Sequence, residues 1–336
     1  MARTRPPVVR LSDLALGQTA DFFALLAERK NSTTRDGKPF FTCRFKDSRR
    51  SVSCAIWVDS KLFDDCSKNW REGQCYKLRA TYGQSERYGP QIEIDQIRPV
   101  KDEDAADGFD VTEFFPKSRF EPNGMFVELW KIAETSIADE PLRKLVLTIL
   151  DRHSDPLKRL PATQRHFYPF AGGWLEHTLS VTRTCLWLVN HYSPYYAELV
   201  PALNRDLVVA GAILHDIGRV REFDDAVPPQ QTIAGRFDGH LLLGRDLVRE
   251  TAKEIADLNP ELAMLLEHIL LTHLALPEWG SPRLPLIPEA LILHHADDLD
   301  AKLEMYVRCL SNDAADGPFT ERDPVLNRQL YKERSA

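Results

Sequence analysis

The segment Leu207-Val-Val-Ala-Gly-Ala-Ile-Leu-His-Asp-Ile-Gly-Arg219 joins an apolar run to two adjacent metal-binding side chains. The apolar run is too short to span a membrane, so it predicts a helix buried in a protein core. His215 and Asp216 stand at the end of that helix, and imidazole and carboxylate groups are ligands of divalent transition metals. A single His-Asp pair is common by chance. The segment therefore predicts a metal site only if other ligands join it.

Further candidate ligands lie upstream and downstream, each inside or beside an apolar helical pattern. They are His177, His240, His268, His273 and Asp297. Taken singly, each is more often a core residue than a ligand. Taken together, so many buried titratable groups would cost several kcal/mol without charge compensation. A bound ion removes that cost, so the set predicts a metal-dependent hydrolase centre.

The chain of 336 residues has 43% hydrophobic and 28% charged residues, as globular proteins have, and its length fits two domains. Its charge is unevenly distributed, because residues 1–100 carry 18 Lys and Arg against 12 Asp and Glu. The first 100 residues thus have a formal charge of +6 in a chain whose net charge is −7, which leaves −13 for the remainder. This asymmetry predicts a polyanion-binding module joined to a domain that suits divalent cations.

The six cysteines include no Cys-x-x-Cys pair, which predicts free thiols in a reducing compartment and excludes zinc knuckles. Near the N-terminus, Arg3 and Arg5 have no apolar segment behind them, so we expect no secretory signal. No apolar run approaches the length that spans a bilayer. We therefore expect a cytoplasmic protein with no membrane partner.

Short runs with strand-like alternation fill residues 1–100, which we predict to form an OB-fold domain, a small β-barrel. In the clearest run, Phe41, Cys43 and Phe45 alternate with polar residues, the period of a half-buried strand. A short helix is predicted at 60–69, between the third and fourth strands. The predicted strands are 18–29, 40–47, 51–58, 74–82 and 88–98.

Basic and aromatic side chains of this domain are candidates to bind single-stranded nucleic acid, which proteins grip with a basic groove and stacked aromatic rings. The basic candidates are Arg44, Lys46, Arg49 and Arg50, and the aromatic candidates are Phe40, Trp57, Tyr82 and Tyr88. For any single aromatic residue, a place in the barrel core is the stronger interpretation, because aromatic residues dominate cores. For the domain as a whole, nucleic-acid binding is favoured.

Helical patterns replace strand patterns after residue 100. Residues 101–121 begin with an acidic segment that lacks apolar periodicity, and they are predicted to be a linker. Residues 122–318 are predicted to form an all-α domain that carries the metal-ligand candidates. Residues 319–336 are predicted to be a C-terminal tail. The chain is therefore interpreted as a multidomain protein, an N-terminal β-barrel followed by an all-α domain.

From the linker to about Lys302 the chain resembles the HD-domain superfamily, and more narrowly the YhaM-type exoribonucleases, which join an OB-fold to an HD domain. The matching stretches are Pro161-Ala162, Gly172-Gly-Trp-Leu-Glu-His-Thr-Leu-Ser-Val181, Ala212-Ile-Leu-His-Asp-Ile-Gly218, Gly239-His240, Glu278-Trp-Gly-Ser-Pro282, and Glu289-Ala290 through Leu299-Asp-Ala-Lys302. The His-Asp pair alone is a weak match, whereas the ordered set is specific and covers nearly the whole chain. The resemblance implies 3′-to-5′ trimming of single-stranded RNA, with single-stranded DNA as a further candidate substrate. It also implies a divalent ion, manganese first, with magnesium, cobalt, iron and zinc as alternatives.

The resemblance also implies which residues hold the ions. One ion would have the defining ligands of the superfamily, which are His177, His215, Asp216 and Asp297. A second, weaker ion would share Asp216 and use His240 and His273. The family tends to have a second histidine where this chain has Leu274. The resemblance therefore leaves open whether the second ion site is filled.

Further roles follow from the same resemblance. Arg219 stands where the family often has a lysine, and its guanidinium would steady phosphate oxygens, which it can bind in a bidentate way. His268, and Lys302 together with Asp300, are candidates for proton transfer or for supporting the ligands, with structural pairing as the stronger interpretation. The loop before Gly172 supplies candidates to hold the 3′ end of the substrate. They are Arg165, His166 and Tyr168.

Two other classes of function stay open at this point. HD centres also serve phosphohydrolases of free nucleotides and phosphodiesterases of cyclic dinucleotides, and turnover of free nucleotides without polymer cleavage would favour that class. The second alternative is a non-catalytic RNA-binding protein with a structural metal, which RNA binding without metal-dependent cleavage would favour. The sequence does not determine the metal, the product length, or whether the chain forms a homo-oligomer.

Overall fold

Two units make up the computed structural model, Met1–Pro116 and Lys117–Ala336. The structure describes residues 8–34, 36–85, 89–313 and 315–333. The first unit is built on β-strands and the second on α-helices, as the change of pattern along the sequence predicts.

Six strands form the sheet of the N-terminal unit. Five correspond to the predicted strands, and a short additional strand, β1, pairs in parallel with β2. A helix, α1 (Phe63–Lys68), lies between β4 and β5, where the sequence predicts one. The strands are β1 Val8–Arg10, β2 Thr19–Thr33, β3 Pro39–Lys46, β4 Ser51–Trp57, β5 Cys75–Ser85 and β6 Gly89–Pro99.

The alternation of side chains gives this sheet one apolar face. In β3, Phe41, Cys43 and Phe45 are buried, while Thr42 and Arg44 between them are exposed. The long strand β2 pairs with β5 through its first half and with β3 through its second half. β3 then pairs with β4, β4 with β6, and β6 with β5, so the pairings return to β2. The largest side chains of the core on the apolar face are Phe22, Phe45, Trp70 and Tyr76.

Residues 102–116, most of the predicted linker, pack on this sheet instead of forming a free spacer. They contain two 3-10 helices, Asp102–Asp107 and Val111–Phe114. Asp104 is buried and accepts hydrogen bonds from Arg98 (2.6 and 2.7 Å) and Lys77 (3.2 Å). Charge pairing and a small apolar cluster around Phe114 therefore hold the acidic segment against the sheet.

Side chains cap the N-termini of five helices described in the C-terminal unit. For example, Asp139 accepts a hydrogen bond from the Leu142 N–H at the start of α3, and Asn204 accepts one from the Leu207 N–H at the start of α6. None of the described helices combines the length and apolarity that crossing a bilayer requires. The helices are α2 Pro122–Ser136, α3 Glu140–Arg152, α4 Ser154–Arg159, α5 Gly173–Tyr195, α6 Arg205–Leu214, α7 Arg219–Glu222, α8 Ile233–Ala252, α9 Pro260–Thr272 and α10 Pro288–Asn312.

Helix α6 lies at the centre of this unit. All residues from Leu207 to Leu214 are buried, and the helix packs against α2, α3, α5, α9 and α10. Gly211 allows the close approach of α9, because a Cβ at this position would lie 2.8 Å from Cγ2 of Ile269. A helix covered on all sides is apolar all round, which explains the continuous apolar run in the sequence. The core thus fixes the end of α6, where His215 and Asp216 follow.

The predicted tail folds back on the end of α10. Thr320 and Leu330 are buried, and the backbone N–H of Leu330 donates to the hydroxyl of Thr320 (2.9 Å). Nζ of Lys332 lies 2.6 Å from Oδ2 of Asp313. Residues 319–333 are therefore part of the folded helical unit.

Candidate metal centre

Helices that are distant in sequence bring the predicted ligands together. His177 lies in α5, His215 and Asp216 follow α6, His240 lies in α8, His273 follows α9, and Asp297 lies in α10. Helix α8 is kinked at Gly239, whose φ of 68° is a conformation that favours glycine. The kink precedes His240 directly, so the local backbone sets the direction of this side chain.

One group of ligand atoms contains His177, His215 and Asp216, whose atoms all lie within 4.8 Å of one another. Nε2 of His177 lies 3.3 Å from Nε2 of His215 and 3.1 Å from Oδ1 of Asp297. Nε2 of His215 lies 4.0 Å from the same oxygen of Asp297. These are the side chains that the resemblance assigns to the first ion.

A second group contains Asp216, His240 and His273, whose ligand atoms also lie within 4.8 Å of one another. Oδ1 of Asp216, Nε2 of His240 and Nε2 of His273 are buried and have no hydrogen-bond partner among the described residues. Oδ1 of Asp216 lies only 3.1 Å from Nε2 of His240, yet the geometry between them is not that of a hydrogen bond. Buried polar atoms without partners are costly, and a shared cation would satisfy all three. The three side chains therefore fit a second divalent ion, even though position 274 has a leucine and supplies no ligand.

Hydrogen bonds behind the histidines orient their rings. Nδ1 of His215 lies 2.8 Å from the carbonyl oxygen of Ala212, and Nδ1 of His273 lies 2.9 Å from that of Leu270. Nδ1 of His177 lies 2.8 Å from Oδ2 of Asp300. A ring that donates through Nδ1 presents the lone pair of Nε2 to a metal, and a carboxylate partner also raises its basicity. Asp300 thus supports His177, a role that the sequence assigned jointly to Asp300 and Lys302.

Burial and neighbouring charges set the protonation of the centre. Burial, together with the charge of His215, lowers the pKa of His273 to about 4. Burial and Arg219 hold the pKa of His240 well below its usual value. Burial alone would lower the pKa of His177, but hydrogen bonds with Asp297 and Asp300 raise it to about 10. Burial opposes the ionised form of Asp216, but Arg219 and the histidines keep its pKa below the usual range. The lowered pKa values keep His240 and His273 neutral and Asp216 ionised, the forms that bind cations, whereas an ion bound by His177 would have to displace the proton of that ring.

Arg219 is held between two carboxylates. Its Nη1 donates to Oε2 of Glu222 (2.6 Å), and its Nε lies 3.5 Å from Oδ2 of Asp216. Glu222 is buried, also accepts a hydrogen bond from Nε2 of Gln231 (3.0 Å), and lies 3.9 Å from Nδ1 of His240. Glu222 was not among the site residues predicted from the sequence. Its spacing of three residues from Arg219, one helical turn, is the signal that could have identified it.

A cavity of about 650 Å³ opens onto the centre. Among the residues predicted to hold the 3′ end, Arg165 and His166 line this cavity. Tyr168 does not, because it is buried with its ring centroid 5.5 Å from that of His177. Burial and the nearby charge of Asp300 raise the pKa of the Tyr168 hydroxyl. Tyr168 is thus a packing residue behind a ligand, and this corrects its predicted contact with the substrate.

Two candidate catalytic residues make structural pairings. Nε2 of His268 accepts a hydrogen bond from the backbone N–H of Leu286 (3.0 Å), and His268 does not line the cavity. Its role is to hold the loop between α9 and α10. Lys302 lines the cavity, but its Nζ lies 2.7 Å from Asp298 and not beside Asp300.

The cavity also contains residues that the sequence analysis did not single out as functional. They are contributed by the loop before α5, by the loop between α9 and α10, by α10 and by the returning C-terminal segment. They include Phe167, Trp279, His294, Met305 and Val325. No local pattern identifies them, because their common feature is the cavity that they share.

In the N-terminal unit, the structure separates exposed candidates from buried ones. The ring of Phe40 stacks on that of Trp57 at 4.8 Å, and Trp57 is 48% exposed. Tyr82 is buried in the core, and Arg50 lies over its ring and donates to the carbonyl oxygens of Leu11 and Leu14. These contacts correct the prediction that Arg50 and Tyr82 are available to nucleic acid.

The remaining basic candidates lie on or next to β3. Arg49 is exposed and Lys46 is half-buried, whereas Arg44 pairs with Glu28 at 3.1 Å. Tyr88 lies outside the described residues. The exposed candidates are therefore Trp57, Arg44 and Arg49, with the half-buried Phe40 and Lys46 beside them.

Comparison with known proteins agrees with the resemblance that the motifs carry. Residues 174–302 match the HD domain family. The 3'-5' exoribonuclease YhaM of Listeria monocytogenes serotype 4b (strain CLIP80459) is 33% identical over 324 residues, which cover 96% of this chain and 97% of the relative. The 3'-5' exoribonuclease YhaM of Bacillus subtilis (strain 168) is 27% identical over 320 residues, which cover 94% and 96%.

Solved structures were also compared. A solved domain of replication protein A from Methanococcus maripaludis aligns with 28% of this chain and over 96% of its own length. The identity is 13% and the TM-score is 0.23. The exoribonuclease relatives, in contrast, align with this chain over nearly their whole length. The chain belongs to the YhaM family of 3′-5′ exoribonucleases.

Proposed function

We propose that this protein is a metal-dependent hydrolase that shortens single-stranded RNA from its 3′ end. The observation that carries the proposal is the convergence of unpartnered buried atoms of Asp216, His240 and His273 on the cavity beside His177 and His215. The names of the relatives and the family of this chain support exoribonuclease activity, and the two groups of ligand residues support a dependence on metal ions. Single-stranded DNA is a second candidate polymer, because nothing described in the cavity selects for a ribose hydroxyl.

Two divalent ions are proposed, with Mn²⁺ as the first candidate. His177, His215, Asp216 and Asp297 would hold one ion, and Asp216, His240 and His273 would hold the other. Histidine with carboxylate ligands suits manganese, iron, cobalt or zinc better than magnesium, which prefers oxygen ligands. Divalent ions in such a centre lower the pKa of a bound water and neutralise charge on the phosphodiester.

The remaining side chains orient the ligands and the substrate. Asp300 holds the ring of His177, and the backbone carbonyls of Ala212 and Leu270 hold those of His215 and His273. Arg219 reaches the cavity from a position fixed by Glu222, and its guanidinium contacts non-bridging phosphate oxygens. Arg165 and His166, which line the same cavity, contact the terminal nucleotide.

We also propose that residues 1–100 form an OB-fold barrel that holds the strand behind its 3′ end. The circular order of strand pairings supports a barrel, and the exposed Phe40–Trp57 stack offers an aromatic surface for bases. Arg49, with Lys46 and Arg44, supplies positive charge near the same strand. The helical domain at 122–318 then acts on the free end, with 101–121 as the connection and 319–336 as a C-terminal segment.

A gel time course tests the proposed function. A 5′-labelled single-stranded RNA is incubated with the protein, with and without Mn²⁺, in parallel with Asp216→Ala. We expect a manganese-dependent ladder that shortens from the 3′ end and is absent with the variant. An intact RNA in every lane, accompanied by turnover of free nucleotides, would reject the polymer as the substrate.

A further inference from the structure

We infer that Trp279 is a substrate-binding residue that stacks a nucleobase of the strand in the metal cavity, with Lys302 contacting the adjacent phosphate. This inference rests on the proposed function and adds the subsite that receives a base. A stacking contact of this kind tolerates every base, because all bases present a π face.

The exposure of Trp279 sets it apart from the core tryptophans. Trp70 and Trp174 are 1% and 0% exposed, as expected for side chains whose role is packing. Trp279 is 44% exposed and lines the cavity that contains the ligands. A cavity of about 650 Å³ is within the range of pockets that hold nucleotide-sized ligands. An indole at the edge of such a cavity offers a large apolar surface to a flat partner.

A cation lies over one face of this ring, so the opposite face is the one offered to a base. Nζ of Lys302 is 5.3 Å from the centroid of the Trp279 ring, and Asp298 holds the ammonium group at 2.7 Å. Lys302 is about half exposed, so its charge is available to a ligand in the cavity. A base that stacks on an aromatic ring brings its phosphate within a few ångströms of that ring. An ammonium group beside the ring then attracts the phosphate.

The loop that carries Trp279 is fixed at several points. The hydroxyl of Ser281 lies 3.1 Å from the carbonyl oxygen of Leu271 and 2.6 Å from that of Arg283. The backbone N–H of Leu286 donates to Nε2 of His268 at 3.0 Å. A ring held by a braced loop loses little freedom when a ligand stacks on it, which favours binding. This also gives His268 a function as a positioning residue.

The same loop is connected to the metal centre. The ring of His294 lies 6.4 Å from that of Trp279, and its Nδ1 lies 2.7 Å from the carbonyl oxygen of the ligand His273. A base on Trp279 would therefore stand beside the second ligand group. The stacked nucleotide is one of those that flank the bond to be hydrolysed.

Binding without turnover tests the inference. The affinity for a four-nucleotide RNA with a 5′ fluorophore is measured by fluorescence anisotropy in EDTA, for wild type, Trp279→Ala and Trp279→Phe. Trp187→Ala is the matched control, because Trp187 is 66% exposed on α5 and does not line the cavity. We expect about 10-fold to 100-fold weaker binding for Trp279→Ala, near wild-type binding for Trp279→Phe, and no change for the control.

An abasic substrate separates stacking from a structural role. Tetranucleotides that lack the base at each of the last three positions in turn are compared with the intact RNA. At one position, removal of the base should weaken binding by the wild type as much as Trp279→Ala weakens binding of the intact RNA. Removal of the same base should weaken binding by Trp279→Ala little further. The inference would be overturned if Trp279→Ala bound the intact RNA as tightly as the wild type. It would also be overturned if Trp279→Phe lost as much affinity as Trp279→Ala and every abasic RNA bound the wild type equally weakly. Failure of the wild type to shorten RNA with Mn²⁺ would instead reject the proposed function.

Discussion

A Cβ at position 218 would lie 1.9 Å from the backbone carbonyl oxygen of His240, so only glycine permits the observed contact between these two residues. The same Cβ would lie 2.6 Å from the backbone nitrogen of Gly244. Gly218 thus allows the helix that carries His240 to pack directly on the turn that carries Asp216. This packing, rather than any side-chain contact, sets the distance between two ligands of the proposed second ion.

The first prediction concerns this packing. Gly218→Ala should push α8 away from Asp216 and reduce exonuclease activity by at least about 100-fold, since misplacement by about 1 Å can have that effect. Gly124→Ala is the matched control, because its Cβ would meet only Oε2 of Glu121 at 3.5 Å. Activity and metal content are measured for both variants. Equal, small effects would contradict the assigned role of Gly218.

The second prediction concerns the shared ligand. Asp216→Ala should remove both ions, because Asp216 belongs to both ligand groups, whereas His273→Ala should remove only the second ion. The number of Mn²⁺ ions bound per chain is measured by calorimetry or by electron paramagnetic resonance. Circular dichroism controls for folding. Retention of one tightly bound ion by Asp216→Ala would exclude a shared carboxylate.

The third prediction concerns the support of His177. Asp300→Asn should weaken Mn²⁺ binding by about 10-fold to 100-fold, the usual effect of losing a carboxylate that orients a ligand histidine. Asp298→Asn, which changes the neighbouring carboxylate that pairs with Lys302, is the control for metal affinity. A metal titration followed by thermal stability measures both. Unchanged affinity in Asp300→Asn would mean that the contact with His177 is only structural.

The fourth prediction concerns the stability of the N-terminal unit and its pH dependence. Asp104→Asn should lower the free energy of unfolding by about 2 kcal/mol, because it removes the carboxylate that pairs with Arg98 and one of the two that pair with the buried Lys77, whose other partner is Asp107. Glu103→Gln, which changes an exposed pair, should have an effect below about 1 kcal/mol. Urea denaturation at several pH values measures both variants.

Arg98, together with Lys77 and the backbone of Lys101, lowers the pKa of Asp104 well below its usual value of 3.8. A carboxyl group whose pKa is lowered by folding contributes stability above its unfolded pKa and loses it as the pH falls. The difference between wild type and Asp104→Asn should therefore shrink below about pH 4. A constant difference down to pH 2 would contradict this charge pairing.

The fifth prediction concerns the exposed aromatic stack of the sheet. Trp57→Ala should raise KM for long single-stranded RNA by about 10-fold, the usual contribution of one stacked base, and leave dinucleotide hydrolysis unchanged. Tyr82→Phe is the control, because Tyr82 is buried in the core and should not affect either substrate. Equal losses on long and short substrates would argue against a strand-holding role for Trp57.

Much of the fold could be read from periodicity, because burial of one face imposes a period on each element. The alternation at Phe41, Cys43 and Phe45 located β3, and the apolar run from Leu207 to Leu214 located α6. The acidic segment around Asp104 was interpreted as a spacer, because its composition is polar. Its partner Arg98 lies 6 residues before Asp104 and its partner Lys77 lies 27 residues before it, and the pairing with Lys77 depends on the sheet and not on any local pattern.

In the candidate site, too, some residues could be predicted from the sequence and others depend on contacts between distant segments. Residue types and their order along the chain, read together with the family resemblance, named the six ligand candidates that the helices bring together. They were insufficient for His268 and Tyr168, whose side chains support a loop and pack behind His177. They were also insufficient for Glu222 and Trp279, which join the cavity through long-range packing.

The amino-acid order thus specified which chemical groups this protein places on buried helices, because each helix or strand must satisfy its own burial pattern. The packing of those elements specified which groups share a cation, which face a substrate and which only brace a neighbour. Those relationships depend on distances between segments that are far apart in the chain, such as the approach of Gly218 to His240. Such distances are set by the packing of whole elements against one another, which no single segment encodes.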